Sequence, residues 1–186
     1  MKKRGLFITI PLVLLFTCSF NYEAAMIAED ISEEVPETIQ YDFTLTRVSG
    51  TQPEFNVSAA RAESYKKKKQ TVLSYVLFQE FNEKHEVITE GIADHLLFFS
   101  ETENAEMSGN LSFYSVKEKA RIKGEYLLWQ KENEILTSKP ENTILLQRDS
   151  GSWVEGSGFE ADFRLKNVRF SGSIRGKYIS DDDKKE

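Results

Sequence analysis

The sequence predicts an all-β fold of stacked antiparallel strands behind an export segment. Two observations predict the strands: apolar side chains recur with period 2 from about residue 41 onward, and polar clusters interrupt them every 10–20 residues. A third excludes the usual competitor, since no stretch beyond residue 41 repeats apolar residues at the helical i, i+3, i+4, i+7 spacing. At 186 residues and 40% apolar content, one domain with a real core is the expectation.

The chain opens on an address. Lys2-Lys3-Arg4 is a basic n-region, and an apolar run from Gly5 to Thr17 ends at Cys18. Residues 1–17 therefore read as a secretory signal peptide, or as a short membrane anchor interrupted by Pro11. Cys18 is the sole cysteine. Leu15-Phe16-Thr17-Cys18 resembles a bacterial lipobox, which implies lipidation at Cys18. Removing residues 1–17 takes away three basic side chains and leaves 21 basic against 30 acidic, a formal charge of 21 − 30 = -9. Residues 18–40 are Glu-rich and read as an acidic tether.

The folded part follows, over residues 41–178. Phe55, Val57 and Ala59 alternate with Glu54, Asn56 and Ser58. Leu73, Tyr75, Leu77 and Phe81 take the odd positions of the next run, and Met107, Leu111 and Phe113 those of a third. Val168, Phe170 and Ile174 oppose Asn167, Arg169, Ser171, Ser173 and Arg175. Each strand then has one apolar and one wet face, as in antiparallel sheets. Polar clusters such as Lys66–Gln70, Asn82–Glu86, Ser100–Asn104 and Asp149–Ser152 supply the turns. A loose repeat (small, acidic, variable, apolar) begins at Ala62, Ala93 and Gly124, spaced 31 and 31, with a degraded copy at Ala161. Residues 179–186 form a charged tail.

Several functions lose ground. An acidic chain does not suit general nucleic-acid binding, which needs surplus Lys and Arg. One cysteine forbids an internal disulfide, and His85 and His95 lack partners at metal-ligand spacing, so no metal is expected. No Gly-x-Ser-x-Gly elbow occurs, and the glycine-rich Gly151–Phe159 lacks the Gly-Lys-Ser/Thr ending of a phosphate loop. No catalytic residue and no cofactor is assigned. Lys66–Lys69 is either a solvated hairpin tip that blocks edge pairing or a contact for phosphate groups. What remains is a one-sided apolar trough, either an ordinary core or a holder of something greasy.

The last third carries the most specific pattern. Leu136-Thr-Ser-Lys-Pro140, Ile144–Asp149, Gly156-Ser-Gly158-Phe159-Glu-Ala-Asp162 and Arg169-Phe-Ser-Gly-Ser-Ile-Arg-Gly176 follow one another in an order that resembles the LptC family. These are periplasmic components of the lipopolysaccharide-export transporter, within the wider superfamily of LptA-like β-jellyrolls. The resemblance implies a twisted, open β-jellyroll whose interior accepts acyl chains of lipopolysaccharide or a related glycolipid. It implies inner-membrane ABC transporter subunits upstream and a periplasmic LptA-like jellyroll downstream, in a membrane-anchored protein. Lipid-lining residues would be Phe55, Val57, Leu73, Tyr75, Leu77, Met107, Leu111, Phe113, Ile122, Leu145, Phe170 and Ile174. The docking edge would be Val168, Arg169, Phe170, Ser171, Gly172, Ser173 and Ile174, read as one regular strand without a bulge. Ser19 after Cys18 leaves an outer-membrane location open. The rival expectation is a lipoprotein with a closed β-sandwich core, serving adhesion or scaffolding. A carbohydrate-active enzyme is the weakest reading, for want of clustered carboxylates.

Overall fold

The structure, a computed structural model, describes residues 34–179. The signal segment, Cys18, most of the tether and the tail beyond Ile179 lie outside the described residues. Among the described residues, all twelve regular elements are strands, in one antiparallel sheet. Six long strands form a meander: β1 (Thr38–Ser49), β2 (Gln52–Tyr65), β3 (Gln70–Phe81), β4 (Val87–Phe99), β5 (Asn104–Ser115) and β6 (Ala120–Gln130). The first begins at Thr38, three residues inside the expected tether. After β6 the sheet divides. β7 (Ile135–Thr137) pairs with the Leu128–Gln130 end of β6, and β8 (Thr143–Arg148) with its Ala120–Lys123 end. β9 (Trp153–Ser157) joins β8, and β10 (Phe159–Asp162) joins β7. β11 (Asn167–Phe170) and β12 (Ile174–Lys177) end the two branches beside β10 and β9. One edge of the sheet is therefore β1, the other β11 with β12.

Besides register shifts at Arg47/Val48 and Glu80/Phe81, a transverse line of irregularities crosses the strands. Asp42 in β1 (φ 50°), Tyr75 in β3 (φ 56°) and the Gly109–Asn110 pair in β5 (φ 75° and 49°) are left-handed. Opposite them the ladder skips Ala60, Asp94 and Glu125. The line continues through Gly158 (φ 63°), between β9 and β10, and through a bulge between β11 and β12. There the Gly172 N–H donates to Ser157 O (3.1 Å) and the Ser157 N–H donates to Ser173 O (3.2 Å). Bulges bend strands and increase their twist, so a line of them folds the whole sheet.

Burial shows the result. Leu127 and Ile144 have no exposed surface and Leu111 only 2%. A flat single layer would leave such side chains open on one side, so the sheet curls over its own inner face. One row of that face runs Ala62, Leu73, Leu96, Met107, Leu127 across β2 to β6. Leu96 lies 34 residues after Ala62 and Leu127 a further 31, so the equal spacing of the repeat is not structural. Ala93 is the counterpart of Ala59, through Val76.

The bulges also decide which face each side chain takes. In β3 the lone left-handed residue shifts the alternation by one: Leu73 and Val76 are both buried, while Leu77 is 42% and Tyr75 72% exposed. The expectation that Tyr75 and Leu77 line the interior is thereby corrected. In β5 two consecutive left-handed residues restore the phase, and Met107 and Leu111 are both buried. Leu145 needs a correction as well. Its neighbour Ile144 takes the core position, which turns Leu145 to the outer face, where it pairs with Glu155.

Tyr75 gives a direct test of the fold line. A left-handed backbone costs a non-glycine residue about 1–2 kcal/mol, and a β-branched one more. Urea midpoints are expected to rank Tyr75→Gly at or above the wild type and Tyr75→Val well below it. Equal midpoints for Val and Tyr would contradict a left-handed residue 75.

Candidate functional site: the inner face and its open edges

The inner face carries the apolar core and the half-buried apolar residues packed against it. A second row crosses nine strands: Leu45, Val57, Phe78, Gly91, Phe113, Ile122, Leu146, Val154 and Gly176. At Gly91 the missing side chain is replaced by the ring of Phe113, which lies over it; a Cβ there would overlap the ring. Phe55 extends the face toward the start of β2, with its ring 6.0 Å from that of Phe78. Eight inter-strand steps of about 4.8 Å make the row roughly 38 Å long along the sheet.

Among the residues expected to line this surface, Leu73, Met107 and Leu111 are buried in the core. Val57, Phe113, Ile122 and Phe170 pack against that core, half-buried. Ile174 is on the same face, paired with Gly156 beside Ile144, yet remains 63% exposed. Sequence reasoning passed over Val76, Leu127, Ile144 and Phe159, all deeply buried. Their signal was weak: Val76 and Phe159 follow directly on the left-handed residues Tyr75 and Gly158, where period-2 counting slips.

Among the described residues, both ends of the inner face are open. On β1, Leu45 is 50% exposed; on the opposite edge Val168 is 49% exposed. Val168 continues a third apolar row through Ala161, Leu136 and Trp129. Inner-face apolar residues thus reach solvent at the edge strands.

The C-terminal edge has a defined backbone polarity. The Ser171 N–H donates to Gly158 O (3.1 Å), inside the sheet. Antiparallel alternation then turns Arg169 inward as well and leaves the N–H and C=O groups of Val168 and Phe170 pointing outward. The expected uninterrupted strand is instead broken by the bulge at Gly172–Ser173. Arg169 Nη2 is 2.7 Å from Glu160 Oε1 and Arg175 Nη2 2.6 Å from Glu155 Oε2, both on the outer face. Phe170 stacks obliquely on Phe159, ring centroids 5.5 Å apart.

The outer face carries the polar chemistry. Tyr65 donates to Glu63 (2.9 Å), and that hydrogen bond, with burial, raises its phenol pKa. Tyr114 is raised in the same way by its bond to Asp149 (2.8 Å). Burial first, then Glu106, raises Tyr126. The Lys66–Lys69 turn is tied into the fold, with Lys66 3.7 Å from Glu37 and Lys69 paired with Glu101. His85 lies in the β3–β4 turn and His95 on the outer face of β4. Among the described residues, no group of His, Cys, Asp and Glu is placed to hold a metal, and no helix is long and apolar enough to cross a membrane.

No family model and no curated protein matches this sequence. Among solved structures it is similar to LptH from Pseudomonas aeruginosa, described as the LptA homologous periplasmic component of the conserved lipopolysaccharide transport device. That alignment covers 80% of this chain and 99% of LptH, at 10% identity and a TM-score of 0.31.

Proposed function

We propose that the protein is an exported, membrane-anchored lipid-transfer module. Its inner face takes up acyl chains of lipopolysaccharide or a related glycolipid from inner-membrane ABC transporter subunits and passes them on. The next LptA-like jellyroll docks at the β11–β12 edge, over residues 168–174. The observation that carries this reading is the apolar inner face, which runs from β1 across the sheet and exposes apolar residues at both edge strands. A core built only for stability gains nothing from Leu45, Val168 and Ile174 half in water. An acyl chain lying along that row leaves water at about 0.8 kcal/mol per methylene, while its sugars stay outside. The resemblance of the C-terminal motifs names the cargo class.

The test uses opposite faces of one edge strand. A photo-crosslinking residue at Ile174 is expected to capture glycolipid in intact cells, and one at Arg175 is not. Absence of lipid at Ile174, with a normal β-rich spectrum, would favour the scaffolding module. Fully buried Leu127 and Ile144 fit that rival as well as they fit a carrier whose centre is plugged when empty.

Docking has its own prediction. Val168→Pro removes one outward N–H and leaves the bonds to β10 in place. A lost ladder hydrogen bond is worth about 1–1.5 kcal/mol, so capture of a partner jellyroll should fall roughly tenfold. Undiminished capture would place docking elsewhere.

A further inference from the structure

The branch β6–β8–β9–β12 carries a different surface on its outer face. Two cross-strand rows lie side by side there: Lys123, Leu145, Glu155 and Arg175 in one, Arg121, Gln147, Trp153 and Lys177 in the other. Both rows end on cations, at β6 and at β12, three inter-strand steps or about 14 Å apart. Between these walls Leu145, Gln147, Trp153 and Glu155 line a concavity of about 310 Å³. The protein's other tryptophan, Trp129, packs against the core. Trp153 sits half-buried on the opposite face of the sheet, across from Gln147 and Lys177. A tryptophan on the wet face of an antiparallel sheet adds nothing to the core.

The cationic walls are partly fixed in place. Arg121 Nη1 donates to Ser112 Oγ (3.0 Å), and its guanidinium lies 5.0 Å from the centre of the Tyr114 ring. On the other side Arg175 is held by Glu155 (2.6 Å). Lys123 and Lys177 are exposed. Four cations thus surround one carboxylate, in a chain whose net charge is -6. Asp149 is taken up by the Tyr114 hydroxyl, and Glu90 lies a further strand away, opposite Tyr114.

We propose that this concavity binds an acidic sugar, a pyranose ring that carries a phosphate or carboxylate group. The electron-rich face of an indole suits the polarised C–H edge of such a ring. Gln147 can donate to and accept from its hydroxyls, and Glu155 can accept from them. The cations on either wall take the acid group, the arginines in the forked geometry that matches phosphate and carboxylate. Because the apolar row lies on the other face of the sheet, the sugar belongs to a second molecule and not to the lipid whose acyl chains occupy that row. The site therefore goes beyond the lipid-transfer reading and stands without it.

The experiment follows the two indole N–H signals of the full chain in detergent micelles by NMR, with Trp129→Phe assigning them. Glucose 6-phosphate and glucuronate are expected to shift the Trp153 signal saturably and to leave that of Trp129 in place. Glucose alone and inorganic phosphate should each bind at least tenfold more weakly, since each lacks one half of the contacts. Lys123→Gln/Lys177→Gln, one exposed cation from each wall, should weaken glucose 6-phosphate about tenfold with an unchanged urea midpoint. Trp153→Leu should weaken glucose alone as well. No shift at Trp153, an equal response to inorganic phosphate, tighter binding of adenosine monophosphate than of either acidic sugar, or full affinity in the lysine variant would each overturn the proposal. Glycolipid captured by the crosslinker at residue 175 would make the sugar part of the cargo and overturn it too. Lipid capture at Ile174 reads the opposite face, so that result is independent of this one.

Discussion

Leu127→Asp is expected to abolish cooperative unfolding in urea and to leave a protein that binds hydrophobic dye and is digested rapidly by protease. Leu127 has no exposed surface and stands in the row with Met107 on β5, one position along β6 from the branch point at Leu128. Two costs coincide there. A lost buried leucine alone is worth about 2–5 kcal/mol, and an unpaired carboxylate in its place adds several more unless it takes up a proton. That sum is comparable with the whole stability of a domain, about 5–15 kcal/mol. Leu127→Ala should remain folded with a lowered midpoint. A cooperative transition near the wild-type midpoint in the Asp variant would mean that residue 127 is not in the core.

Gly124→Ala and Ile144→Val should each destabilise the protein, and together they should nearly cancel. A Cβ on Gly124 would overlap Cδ1 of Ile144, while Cγ1 of Ile144 would stay at 3.7 Å. Alanine alone therefore overpacks the joint between β6 and β8, at about 1–3 kcal/mol. Valine alone removes the offending methyl and leaves a hole, at about 0.5–1.5 kcal/mol. In the double variant the new methyl occupies the space of the old one. A coupling energy of roughly 1–2 kcal/mol in a denaturation cycle is expected. Simple additivity would show that the two positions do not touch.

Both predictions concern the place where the sheet forks, which the alternation of residues did not reveal. Period-2 counting assigned faces correctly around Phe55, Met107 and Val168, although the last of these stretches is two strands, because they are locally straight or carry compensated bulges. It misplaced Tyr75, Leu77 and Leu145 for one physical reason: a single left-handed or skipped residue moves every later side chain to the other face. The same slip gave the repeat an equal spacing that the strand pairing does not have. It also split the odd-numbered apolar residues of β1 between the two faces, Ile39 and Tyr41 outside, Phe43 and Leu45 inside.

By itself the sequence determined the class of the fold. Alternation and turn chemistry are local, and they specify an antiparallel sheet whatever its curvature. It also carried the export pattern, the acidic balance and the motifs of the last third. Only the tertiary structure decided which apolar residues share a face, where the sheet folds, and that, among the described residues, both edge strands expose apolar side chains. Those properties depend on bulges in neighbouring strands falling into one line. Alignment of that kind is a relation between residues far apart in the chain, such as Asp42, Tyr75 and Asn110, and it has no local signature.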